Sequence, residues 1–424
     1  MKQVNGHEKR IAVVGSGISG LAAAYFLSRH HQVTLYEAAS WFGGHAHAVE
    51  VSLEGKSAWV DTGFLVYNTR TYSNFIPFLE ELGVASSPST MSFAVSRDQG
   101  QFEWAGSSLT TLFGQVSHLV SPRFWGMILD ILRFNRNAEG YLLQARLKGW
   151  SLGDLLKHAG LSEAFCEDYL IPMAACIWSA PPERMLDYPA STFLQFCLNH
   201  GLLQIFNRPQ WRTLQGSSRG YVDAVIAQVD EVLLNTPVEK VIRTAAGVEV
   251  QTATATRTYD AIVMATHAPS TLQLLADADE QERAILGSFS YQRNRAWLHT
   301  DLDWMPRRRG LWSSWNFMAE GKNRQGVCVS YWLNRLQSLP WKTPLMVTLN
   351  PWREPEGVLD VFDYEHPLFD ESAIQAQHRL PGLQGHRNTW YAGAWTRYGF
   401  HEDGLRSALQ VAAAWHALPA WATV

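Results

Sequence analysis

Charge is scarce in this 424-residue chain and nearly balanced: 35 Lys plus Arg face 39 Asp plus Glu, 17% charged in all, with a formal charge of −4. Such a balance excludes a dedicated nucleic-acid binder, which needs a basic face against phosphates. A hydrophobic content of 46% excludes a disordered or low-complexity chain. Cysteine is almost absent; Cys166, Cys176, Cys197 and Cys328 form no CxxC pair. Neither a disulfide framework nor a zinc site is expected, and a reducing, cytoplasmic setting fits. No stretch approaches the roughly 18 to 20 apolar residues of a membrane-spanning helix. Met1 to Arg10 is polar and leads directly into an apolar strand, which leaves no room for a cleavable leader. Lysine is rarer than arginine, 8 against 27, whereas tryptophan is abundant, 18 among 51 aromatics. Trp and Arg together favour stacking, anchoring and interfacial contact. The length allows one large or two ordinary domains.

The first chemistry-bearing pattern lies near the start. Ile11 to Val14 is a β-branched and small apolar run, and Leu21 to Leu27 follows at helical spacing. Between them stands Gly15-Ser16-Gly17-Ile18-Ser19-Gly20, a GxGxxG. A second apolar strand, Val33 to Tyr36, ends in Glu37, 22 residues past Gly15. Strand, glycine turn, helix, strand and terminal acid make a dinucleotide-binding βαβ unit. In it Gly15 permits the tight turn, Gly17 lets the backbone approach a pyrophosphate, and Gly20 lets helix and strand pack closely. The pyrophosphate would sit on the positive helix end. Glu37 would accept hydrogen bonds from the adenosine ribose and repel a 2′-phosphate, which disfavours NADP.

Further pieces follow in order: Gly43-Gly44, then His45-Ala46-His47, then Asp61-Thr62-Gly63-Phe64 at a strand end. Asn235 to Val241 starts a short β-meander, and Tyr259 to Thr266 reads as a returning strand. Thr389 to Gly393 is a strand ending in glycine, and Gly399-Phe400-His401-Glu402-Asp403-Gly404-Leu405 opens a last helix through Ala414. This series resembles the flavin amine oxidase superfamily. The resemblance implies FAD as cofactor, an α/β fold with a Rossmann-like FAD-binding domain of amine-oxidase type, and an interleaved α+β substrate domain. It places Gly15, Gly17, Ser19, Gly20, Glu37, Gly43, Gly44, His45, Gly63, Phe64, Val238, Gly393, Asp403 and Leu405 at the cofactor, with Val238 bracketing the adenine. The chain departs from the pattern at three points. His45 stands where many relatives have Arg, Trp395 stands where amine oxidases have a ribityl-binding acid, and the strand Asn294 to His299 lacks the lysine some relatives carry there.

The blocks Phe196 to Leu203, Arg208 to Thr213, Gly216 to Val222, Ser330 to Gln337, Thr348 to Pro351 and Gly399 to Leu405 narrow the resemblance. They are similar to a bacterial group of predicted FAD-dependent oxidoreductases found beside, or fused to, cyclopropane fatty acid synthases. Membership implies a lipid acyl substrate, with an acyl-chain methyltransferase or cyclopropane synthase as partner. The expected reaction is dehydrogenation or double-bond isomerisation by hydride transfer to flavin N5. Oxidation of a hydrophobic amine, or a scaffolding role for a lipid methyltransferase, are the alternatives. His401, His200 and Tyr398 are the catalytic candidates, with Phe400 and Asn199 beside them; a histidine pKa near 6.5 suits both proton roles. The histidine spacings match no metal motif, and no metal is expected.

Residues 1–85, 212–285 and 382–424 are expected to form the FAD-binding domain, and 86–211 and 286–381 the substrate domain, the former helical and the latter a sheet. Leu112 to Phe134 is broadly apolar, with Arg123, Arg133 and Arg136 beside the apolar residues. It reads as an interfacial surface, an acyl tunnel wall or a buried helix pair. Arg307-Arg308-Arg309 between tryptophans reads as a lipid-headgroup contact or a solvated loop. Peripheral attachment at the inner membrane face is the corresponding expectation of place.

Overall fold

In the computed structural model, which describes residues 8–204, 207–321 and 328–423, the run Arg10–Val14 is the central strand of a parallel sheet. Its neighbours follow the order Glu231–Leu233, Gln32–Tyr36, Arg10–Val14, Ala261–Met264, Thr389–Tyr391, all parallel. β-Branched and small apolar residues dominate its centre because layers cover both faces. On one face lies the helix Ile18–Leu27, all ten of whose residues are buried. It packs against the last helix, His401–Ala414, at a close crossing. A Cβ on Gly404 would come within 2.6 Å of the Ile18 side chain. Over the other face lies the meander Val238–Thr244, Gly247–Thr252, Thr256–Tyr259.

One buried network ties these pieces together. Arg243, on the meander, forks onto Glu282 at 2.7 and 2.8 Å and reaches Asp277 at 2.7 Å. Glu282 also accepts from the Tyr391 hydroxyl at 2.6 Å, which brings in the last strand of the parallel sheet. Burial raises the Glu282 carboxyl, but the Arg243 and Tyr391 hydrogen bonds outweigh it and bring it to about 2.

A second sheet has seven strands, in the order Val358–Leu368, Ser290–His299, Met346–Leu349, Val329–Trp332, Trp315–Ala319, Phe93–Arg97, Phe102–Ala105. Only the Trp315–Ala319 and Phe93–Arg97 pair is parallel. Against it stand the helices Pro122–Lys148, Ile171–Trp178 and Ala190–Asn199, around a core that includes Phe124, Phe134, Phe165 and Phe193. Two readings need correction here. The stretch 86–211 is not helical from its start: Ser86–Ser89, Phe93–Arg97 and Phe102–Ala105 are strands. Nor is Leu112 to Phe134 a buried pair. Phe124, Met127 and Phe134 face inward, but Leu119, Val120, Trp125, Leu129 and Leu132 are exposed. Among the described residues, no helix is long and apolar enough to cross a membrane.

Candidate functional site

The cradle starts with the turn between the first strand and its helix. Gly15 sits at φ +98°, with its N–H on the Tyr36 carbonyl at 2.9 Å; a Cβ there would lie 2.8 Å from the Ala265 carbonyl oxygen. Only glycine meets both demands. Glu37 is held by the same turn: Ser16 N and Oγ donate to Oε2 at 2.9 and 2.5 Å, and Ala39 N donates to Oε1 at 2.8 Å. A carboxylate has about four acceptor positions, so one remains toward the cavity that Glu37 lines. The Gly43-Gly44 loop closes over the turn, with Gly43 N donating to Ser16 O and Oγ, both at 3.1 Å. A Cβ on Gly44 would lie 3.0 Å from Gly17 Cα.

This arrangement fits a dinucleotide by two independent observations. Among the described residues a Cβ on Gly17 would meet no atom within 4 Å, so the glycine faces open space. The helix beginning at Ile18 has neither a side-chain cap nor an acid in its first turn, which leaves its N–H groups and positive dipole end for an anion.

A single cavity of about 630 Å³ runs from this cradle toward the seven-stranded sheet. Gly15, Gly17, Ser19, Glu37, Gly43, Gly44, His45, Gly63, Phe64, Val238 and Gly393 all line it, as do His401, His200, Tyr398 and Phe400. Three residues placed at the cofactor by resemblance do not. Gly20 sits behind the turn, where a Cβ would come within 1.8 Å of the Gly15 carbonyl oxygen. Asp403 turns back to accept from Phe400 N at 3.0 Å. Burial pushes its carboxyl up to about 7, against that hydrogen bond. Leu405, fully buried, faces the apolar core shared with Ile18 and Leu21. Asn199 is exposed, its Oδ1 accepting from Gln195.

Asp61 acts one step removed. Wholly buried outside the cavity, it accepts from Ser218 N at 2.9 Å and Oγ at 2.5 Å, while Gln337 bridges its backbone N–H and carbonyl at 3.0 Å each. These bonds fix the Thr62 to Phe64 segment that follows. Phe64 N donates to His45 O at 2.7 Å, and its ring stacks on His401 at 3.7 Å. The His401 Nε2 also shares a 2.8 Å hydrogen bond with the Tyr221 hydroxyl. Desolvation brings His401 down to about 3 and His200 to about 4, so both are neutral at pH 7. His200 stacks on Phe196 at 3.8 Å, and its Nδ1 must donate to the Phe196 carbonyl at 3.0 Å, since a carbonyl only accepts. Its Nε2 is therefore an acceptor.

Sequence reasoning missed the opposite wall. His366 receives Asn294 Nδ2 on its Nδ1 at 2.9 Å, and desolvation brings its pKa to about 4. His45 packs edge-on against it with centroids 5.2 Å apart, and its own Nε2 has no hydrogen-bond partner among the described residues. Desolvation holds His45 well below its ordinary range. Trp178, Trp211, Trp315, Tyr331 and Phe369 complete the wall. The signal for His366 is period-two alternation with Tyr364 on one strand face. Among the described residues that line the cavity there is no Lys, Arg or Asp, and the only acids are Glu37 and Glu365. Glu365 pairs with His267 Nδ1 at 3.2 Å.

The fold is shared with solved enzymes. A CLA-producing fatty acid isomerase from P. acnes superposes with a TM-score of 0.67 at 15% identity, covering 96% of this chain and 98% of the other. Cyclohexylamine oxidase from Brevibacterium oxydans IH-35A gives 0.68 at 14%, over 96% and 98%. Putrescine oxidase bound to putrescine gives 0.66 at 15%, over 97% and 99%. At these identities the likeness is one of fold. No curated protein sequence matches the chain. Residues 18–301, about two thirds of the chain, match the family described as flavin containing amine oxidoreductase; the chain belongs to that family, an FAD-dependent oxidoreductase by its cofactor and chemistry.

Proposed function

We propose that this oxidoreductase acts on the acyl chain of a lipid, desaturating it or moving a double bond. The observation that carries the reading is the cavity wall beyond the cradle, built from Trp178, Trp211, Trp315, Phe196 and Phe369 without a cation or an unpaired acid. A substrate ammonium would find only Glu365, a carboxylate already held by His267 and Arg293, and a free fatty-acid carboxylate would have no Arg or Lys, since burying an unpaired charge is costly. An uncharged chain, with its headgroup outside, meets neither penalty. The resemblance to the group associated with cyclopropane fatty acid synthases supports an acyl chain over other apolar compounds, and a methylating or cyclopropane-forming enzyme as its partner.

Bound FAD supplies the two-electron acceptor. The chain supplies the rest. Gly17 and the helix end at Ile18 hold the pyrophosphate, and Glu37 the adenosine ribose. Phe64, stacked on His401, fixes one border of the ring site, so His401 positions rather than transfers a proton. Nε2 of His200 is the acceptor for a proton leaving the carbon beside the oxidised C–H. The aromatic wall excludes water and aligns the chain, which must be weakened at that C–H by an adjacent double bond.

Anaerobic mixing of the yellow holoprotein with unsaturated or methylated phospholipid should bleach the flavin band if the chain is desaturated, or leave the band in place and return lipid with a shifted double bond if it is isomerised; neither bleaching nor a shifted double bond with any acyl substrate overturns the proposal. Aromatic walls also hold cations by cation–π attraction, which favours a hydrophobic amine as the second reading. Bleaching with an amine panel alone would establish it.

A further inference from the structure

We infer that a lipid bilayer with anionic headgroups docks on the outer face of the helix Pro122–Lys148 and the turns that precede it. The helix is apolar on two opposite sides. Phe124, Met127, Phe134, Ala138, Leu142 and Ala145 pack inward. Trp125, Leu129, Leu132, Leu143 and Leu147 face solvent, Leu147 at 74%. At about 100° per residue these five fall within about 60° of arc, over some 33 Å of helix, and the exposed Arg136 is the one charge inside that arc. An ordinary amphipathic helix would be polar there.

The preceding turns extend the same surface. Leu109, Val116, Leu119 and Val120 are exposed, Val120 at 83%. They join the helix through Trp125, whose ring lies 5.2 Å from Phe113 and whose Nε1 donates to Leu119 O at 3.0 Å. From Ala105 to Leu129 the sequence has no acid, and Arg123 is its single charge. So large an exposed apolar surface marks an interaction site.

Charge selects the partner. On the helix, Arg133, Arg136, Arg146 and Lys148 outnumber Asp130 and Glu139, while Arg123 is taken by Glu163, Glu167 and Asp168 of the segment beside it. The basic triplet is anchored beside the turns: Leu311 packs with Ala94 and Ala105, and a Cβ on Gly114 would meet it at 2.5 Å. Arg308 is taken by Glu103, while Arg307 and Arg309 stay exposed. An apolar stripe with a basic rim complements acyl chains beneath anionic headgroups. The surface also adjoins the cavity. Gly106 N donates to the Phe93 carbonyl at 3.1 Å, and Phe93 pairs with Trp315 of the cavity wall. Passage of a chain from bilayer to cavity rests on the acyl-lipid reading; the docking does not.

Flotation of the holoprotein with phosphatidylcholine vesicles, with and without phosphatidylglycerol, tests it. Wild type should float with the anionic vesicles and release at high salt. Val120→Asp with Leu129→Glu, both at exposed positions, should lower the bound fraction about tenfold, and Arg307→Glu with Arg309→Glu should remove the preference for anionic lipid. Both variants should still convert detergent-dispersed lipid, read as flavin bleaching or as a shifted double bond, if the acyl reading holds, so the two ideas fail separately. No flotation of wild type, unchanged flotation of Val120→Asp/Leu129→Glu, or a doubled mass by light scattering that this variant abolishes would overturn docking to lipid, the last in favour of a second copy of the chain.

Discussion

Gly17 and Gly20 lie three residues apart and answer to different neighbours. A Cβ at Gly20 collides with the Gly15 carbonyl, whereas one at Gly17 meets no atom of the described residues within 4 Å. Gly17 is small for the sake of something that is not protein. Gly17→Glu should therefore melt close to wild-type apoprotein yet stay colourless with added FAD, while Gly20→Ala should lose at least about 1–3 kcal/mol; melting curves with and without FAD separate the two. The buried histidines set the acid response. Desolvation depresses His401 to about 3 and His299 to about 4, whereas an unfolded histidine titrates near 6.5. On acidification the unfolded chain takes up protons first, so stability falls as pH drops from about 6.5 toward 4. By about pH 5 each such group removes on the order of 2 kcal/mol. Denaturant midpoints at pH 7 and pH 5 measure the fall. His299→Gln, away from the cavity, should lessen it by one such step.

Among the elements, the Arg243 and Glu282 fork joins the meander, the helix Glu280–Leu286 and the strand Thr389–Tyr391. Both side chains are almost wholly buried. Arg243→Met would leave the Glu282 charge unpaired and should cost about 3–5 kcal/mol, much of it recovered in Arg243→Met/Glu282→Leu; urea unfolding of the two variants decides. Elements of this kind differ in how far sequence discloses them. The strand, turn, helix and strand from Arg10 to Tyr36 are readable because apolar runs and glycine spacing are local signals. The pairing of Phe93–Arg97 with Trp315–Ala319 is not, since nothing local in either strand records a partner some 220 residues away. His366 is hidden for the same reason: its place at the cavity depends on the register that sets Asn294 opposite Tyr364. In Pro122–Lys148 the sequence displays two apolar faces, and only packing decides which is covered.

At the scale of the molecule, FAD binds the assembled cradle and not the unfolded chain. Free FAD at a hundredfold excess over Kd should therefore raise stability by about 2.7 kcal/mol. The thermal midpoint should climb with FAD concentration in wild type and stay flat in Gly17→Glu. The contact between the two ends of the cradle carries one more consequence. Ser19 Oγ donates to the Gly404 carbonyl at 2.9 Å across 385 residues of chain. At a ribosomal pace of about 5–20 residues per second, roughly 20–80 s separate the synthesis of these partners. Throughout that interval the helix Ile18–Leu27, wholly buried once folded, waits without its cover, so a nascent chain is most prone to clump before Gly404 emerges, and pigment can be acquired only afterwards.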